Sequence, residues 1–186
     1  TSVDEVIENT QKQIDKLQDL KKATMNELLT KGIGHTEFKD SELGRIPKSW
    51  EVLPLAEVCE VSSSKRVMQS DYVDKGVPFY RSKEIILKSK GKTLQSILYI
   101  SEEQFLNLSS RFGAPESGDI LITAVGTIGV CYLVGNERFY FKDGNLLWLK
   151  NVETLAPSFL SVFLSNHRTR ERIIEISGGS SQSALT

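Results

Sequence analysis

Residues 3–31 run without a single glycine or proline, and this stretch constrains the fold more than any other. Asp4, Glu5 and Glu8 sit in its first turns, where a helix dipole favours acids, and Lys31 followed by Gly32 supplies the stop. The spacing predicts one helix of about 44 Å, at about 1.5 Å per residue. Val3, Ile7, Ile14, Leu17 and Leu28 fall on one seam, with Thr10, Lys21 and Thr24 at the intervening positions. Alternating steps of three and four are the signature of a coiled-coil interface. Leu20, Met25 and Leu29 broaden the stripe towards its end. A lone helix cannot bury such a stripe on itself. It needs a companion helix, and no other segment here is long enough to be one; the alternative is that it folds back onto the domain C-terminal to it.

Residues 32–48 read as a connector, rich in Gly, Asp, Ser and charge and closing with Ile46-Pro47-Lys48. The folded domain then opens at Ser49-Trp50 with the apolar positions Val52, Leu53, Leu55, Val58 and Val61. Val77-Pro78-Phe79-Tyr80-Arg81 predicts a strand whose proline sits at its start or at a sheet edge. Residues 85–100 alternate apolar runs with Lys88, Lys90 and Lys92, suggesting a loop or hairpin. Ser101-Glu102-Glu103-Gln104 marks a helix start. Gly118–Val134 contains two apolar runs joined by Gly126-Thr127-Ile128-Gly129, a strand–turn–strand pattern. Further strands are expected at Arg138–Phe141 and Leu146–Leu149, then helices opened by Pro157 and over 168–176. The expected class is α+β: a long N-terminal coiled-coil helix (1–31), a linker (32–48) and a β-rich domain with short helices (49–186).

Chemistry is hard to find. No GxSxG, HExxH, Walker A or GxGxxG pattern is present, nor an Asn-Pro-Pro-aromatic motif. Gly126 and Gly129 lie between two apolar strands and open no helix, so they form no ordinary phosphate cradle. His35 and His167 are far apart, and Cys59 and Cys131 belong to no CxxC motif. The cysteines read as free buried thiols in a reducing cytoplasm, with a disulfide or metal pair as the alternative. No run reaches the roughly 20 apolar residues that span a bilayer. No catalytic residue, metal site or resident cofactor is therefore assigned.

A binding module remains. Net charge is only −1, but residues 61–100 carry eight basic and three acidic side chains. Such a local surplus is either a solvated face or a footprint for a phosphate backbone. Sequence readers place Arg, Lys and amide side chains on loops that reach base edges, with further cations on phosphates. The candidates are Lys65 and Arg66, then Arg81, Ser82 and Lys83, then Lys88, Lys90 and Lys92. Thr127 in the glycine turn and Ser180, Ser181 and Gln182 in the last polar loop complete the set. Arg81 stands out because a strand fixes the backbone before it. The aromatics lie within apolar runs and read as core.

The order of features resembles a Type I restriction-modification specificity subunit over nearly the whole chain. Val3-Asp4-Glu5-Val6-Ile7 and Leu17-Gln18-Asp19-Leu20-Lys21-Lys22 look like its central conserved helix. Leu43–Val52 is similar to the linker opening its second recognition domain, Val77–Arg81 and Gly118–Ile122 to its recurring strands, and Gly178–Gln182 to a polar loop before the closing strand. The resemblance implies a non-catalytic cytoplasmic subunit that reads one half of a split site in double-stranded DNA. It also implies docking of methyltransferase subunits and a restriction subunit, with S-adenosylmethionine used only by the methyltransferase. One helix and one recognition domain imply a half-subunit or fragment, its domain truncated at the C-terminus, whose seam pairs with another copy or a partner helix. Two other readings stand beside it: a coiled-coil protein-interaction scaffold with a β-rich binding domain, and a fragment of a fused restriction–methylation enzyme.

Overall fold

The computed structural model describes residues 2–177, and they divide into two compact units. Residues 2–52 with 166–168 form one, and residues 53–165 with 169–177 the other. The chain is α+β, a long helix followed by a β-rich region.

In the first unit, α1 spans Val3–Lys31. The Ser2 hydroxyl accepts from the Glu5 amide while the Glu5 carboxylate accepts from the Ser2 amide, closing a capping box. Gly32 ends the helix at φ 64°, a backbone conformation that favours glycine. No residue of α1 is buried. The connector is more ordered than its composition suggests. β1 (Phe38–Ser41) and β2 (Gly44–Pro47) pair antiparallel, with Ser41 opposite Gly44.

The second unit begins with the short α2 (Leu55–Val58) and holds two four-stranded sheets. The first has the order β3 (Glu60–Ser62), β10 (Leu146–Lys150), β7 (Ile120–Thr123), β8 (Cys131–Leu133). The second has the order β4 (Tyr72–Val73), β6 (Leu98–Ile100), β5 (Val77–Tyr80), β9 (Tyr140–Phe141). The unit also holds α3 (Ser82–Ser89), α4 (Glu102–Phe112), α5 (Pro157–Ser165) and α6 (His167–Ser177) from its residue 169 onward.

Strand alternation builds the core in layers. Side chains along a strand point to opposite faces, so Ile120 and Ile122 of β7 join Leu160 and Leu164 of α5 on one face. Leu121 joins Tyr80, Ile85, Phe141, Leu146 and Trp148 on the other. In the second sheet Tyr80 and Phe141 point into that same cluster, whereas Val77, Phe79, Ile100 and Tyr140 face Phe105 of α4. Both sheets thus share one apolar interior. Burying each such Leu, Ile or Phe contributes about 1.5–3 kcal/mol.

Several details differ from the sequence reading. Residues 85–89 of the expected loop or hairpin belong to helix α3, followed by β6. The strand expected at Arg138–Phe141 shortens to Tyr140–Phe141. β5 is an inner strand of its sheet and not an edge, with Pro78 as its second residue. The pairing with β9 begins only at Phe79, so that ladder makes no use of the amide proton that Pro78 lacks. The Ser101 cap agrees with expectation: its hydroxyl accepts from the Gln104 amide at 3.1 Å.

Candidate nucleic-acid interface

β5 and β9 are parallel, with Tyr80 opposite Phe141, so both strands end on one rim. Arg81 and Lys142 are the next residues, and the Lys142 amide donates to the Tyr80 carbonyl at 2.9 Å. The end of β7 reaches the same rim through the pairing of Thr123 with Leu146. There the carbonyl of Asn145 accepts from the Ala124 amide at 2.9 Å and from the Ser82 hydroxyl at 3.3 Å. Arg66 pairs with Asp143 at 3.2 Å, which brings the loop after β3 alongside.

These segments line an open cleft of about 550 Å³ whose walls include Arg66, Gln69, Arg81, Lys142, Asp143 and Asn145. Three cations face one carboxylate, and two amide side chains supply both donors and acceptors. An arrangement of this kind suits a polyanion that also carries hydrogen-bonding edges.

Arg81 is the most constrained member. Its Nε and Nη2 donate to Glu84 Oε2 and Oε1 at 3.1 and 2.8 Å, and its amide donates to Oε2 at 2.9 Å. Glu84 is 1% exposed. Burial by itself raises the Glu84 carboxyl, but the hydrogen bonds and charge of Arg81 outweigh it and hold the group below the usual carboxylate range.

The predicted residues divide. Arg66 and Arg81 line the cleft, with Ser82 behind it. Lys65 is exposed next to Arg66, its amide donating to the Tyr140 hydroxyl at 3.2 Å and its Nζ 5.0 Å from the Phe112 ring centre. Lys83 is exposed in the first turn of α3, and Lys90 and Lys92 are exposed beyond its far end. Thr127 is exposed in the turn after β7, where its carbonyl accepts from the Thr123 hydroxyl.

Lys88 is engaged elsewhere. It pairs with Glu137 at 3.0 Å and lies 5.3 and 5.5 Å from the rings of Tyr80 and Tyr132. Ser180, Ser181 and Gln182 lie outside the described residues. Gln69, Lys142 and Asn145 were not anticipated. Asp143 to Asn145 read simply as the break between two strands, and nothing local shows that Phe141 runs beside Tyr80.

On α1 the seam residues Val3, Ile7, Thr10, Ile14, Leu17, Lys21, Thr24 and Leu28 are all exposed. Leu17 keeps 65% of its surface and Ile7 61%. Cys59 and Cys131 are free and buried. Burial raises both thiols, Cys131 to about 11, which disfavours the thiolate that a metal or a nucleophilic step needs. Among the described residues no His, Cys, Asp and Glu group has metal-holding geometry, and no helix is long and apolar enough to cross a membrane.

Residues 47–186 match a family described as the Type I restriction modification DNA specificity domain. A Haemophilus influenzae protein named as type I restriction enzyme specificity subunit S.HindORF215P is 34% identical over 121 residues, 64% of this chain and 30% of that protein. The type I restriction enzyme MjaVIII specificity subunit of Methanocaldococcus jannaschii is 34% identical over 120 residues, 64% of this chain and 27% of its own. The chain thus spans less than a third of the length of either relative. The HsdS subunit from Thermoanaerobacter tengcongensis superimposes on 88% of this chain and 39% of its own, with TM-score 0.50 and 17% identity. A chain from a structure of type I R-M complex assembly and conformational transition covers 98% of this chain and 42% of its own, with TM-score 0.53 and 17% identity. At that identity the likeness concerns the fold.

Proposed function

Since the chain belongs to the Type I restriction-modification DNA specificity domain family, we propose that it reads part of a DNA site for a methyltransferase and restriction complex. In this reading residues 1–31 are the conserved helix, 32–48 the linker and 49–186 the recognition domain. The chain does no chemistry itself. S-adenosylmethionine belongs to the methyltransferase subunits, and the assembly works in the cytoplasm. The exposed seam of α1 is where a second helix docks, from another copy or from a partner.

One observation carries the proposal beyond the family match: the parallel ends of β5 and β9 gather Arg66, Arg81, Lys142, Gln69 and Asn145 around one cleft. Cations there neutralise phosphates, and amides and the fixed guanidinium meet base edges. The test is selection from a randomised duplex DNA library by the complex with its methyltransferase subunits. Enrichment of a defined sequence is expected. Binding to all sequences alike, with the methyltransferase present, would refute the reading.

A further inference from the structure

Glu84 is a carboxylate sealed into the β-rich unit, at 1% exposure, and it meets Arg81 edge to edge. A planar guanidinium has two usable edges for paired hydrogen bonds. The side-on edge, Nε with Nη2, is taken by Glu84. The end-on edge, Nη1 with the second Nη2 proton, is not used by Glu84, and Arg81 lines the cleft with 39% of its side chain exposed. Two hydrogen bonds from the guanidinium and one from the backbone amide tie the residue to Glu84. Arg66 is a different kind of cation. It is 76% exposed and pairs with Asp143 through Nε, which suits a phosphate.

We infer that Arg81 reads a guanine through the end-on edge of its guanidinium, and that Glu84 is the positioning residue that aims it. The inference rests on the DNA-recognition reading above. Guanine alone offers two adjacent acceptors, O6 and N7, in the major groove, and a fixed guanidinium edge matches them with two donors. Orientation already imposed by Glu84 removes part of the ordering cost of that contact. If Arg81 served only to neutralise Glu84, nothing would require it to line an open, polar cleft.

The test uses the complex with its methyltransferase subunits and a randomised duplex library, comparing wild type with Arg81→Lys and Glu84→Gln. Lysine keeps the charge beside the buried carboxylate but lacks the fork. Arg81→Lys is expected to lower the preference for guanine at one position by roughly 10- to 100-fold, with the other positions and the salt dependence unchanged. Glu84→Gln weakens the same position. Combined with Arg81→Lys it weakens that position no further, because both changes act through one contact. A purely structural role for Glu84 predicts instead losses that are additive and spread over all positions.

An Arg81→Lys complex with unaltered preferences overturns the inference, as does a uniform loss of affinity across all sequences, which marks a phosphate contact. Both outcomes leave wild-type selectivity standing. They are therefore distinct from a wild-type complex that selects nothing, which would end the broader reading.

Discussion

The indole N–H of Trp148 donates to the Asp119 carboxylate at 2.7 Å, and both side chains are buried. The same oxygen accepts from the Glu116 amide at 2.9 Å. The Gly118-Asp119 entry to β7 is thus a structural tie between the turn before β7 and the facing strand β10.

Replacing Asp119 with alanine leaves a buried indole donor unpaired and is expected to cost about 1–3 kcal/mol. Asparagine retains an acceptor and should cost less. Urea unfolding followed by Trp emission measures both. Equal losses for the two variants would mean that the hydrogen bond is not the cause.

Lys88 separates stability from binding. Its pair with Glu137 is mostly sheltered, the side chains keeping 19% and 29% of their exposure. Lys88→Met should lower stability by roughly 1–3 kcal/mol and leave the salt dependence of DNA binding alone. The exposed Lys83, changed to Gln, should reduce the slope of log affinity against log salt by about 1. Binding measured across a salt series decides; a shallower slope for Lys88→Met would place that side chain on the DNA after all.

Glu84 makes an acid-dependent contribution to stability. Its folded pKa lies below the ordinary 4.5, so the stabilisation is fully present above that value and is lost as pH falls through the folded one. Relative to Glu84→Gln, wild type should therefore hold a constant advantage near neutrality that shrinks only below about pH 4.5. Melting temperatures of the two proteins between pH 7 and pH 3 test this. An advantage that grew on acidification would contradict the pairing with Arg81.

The α1 seam predicts an association phenotype without a folding one. Leu17 is 65% exposed, so Leu17→Lys should change stability by no more than about 0.5 kcal/mol. Sedimentation and co-purification with the methyltransferase should show the companion helix lost. Unchanged assembly would show that the stripe is not the contact surface.

Local order was readable from the residues alone. The heptad steps from Val3 to Leu28, the Ser101 cap and the apolar runs around the Gly126–Gly129 turn each depend on neighbours a few positions away. Backbone periodicity and cap chemistry act over that range. The same reasoning failed across residues 85–89, because a short helix opening on Arg81 with Glu84 at its third position carries a weak signal among lysines.

Tertiary structure decided which cations share a site. Tyr80 runs beside Phe141, and Lys88 meets Glu137, only because distant segments are brought together by burial of a common apolar interior. Burial depends on area and not on sequence separation, so spacing says nothing about it. The chain alone therefore prescribed the rod, the turns and the alternating strands. Packing of the two sheets chose Arg66, Arg81, Lys142 and Asn145 for the cleft and withdrew Lys88 from it.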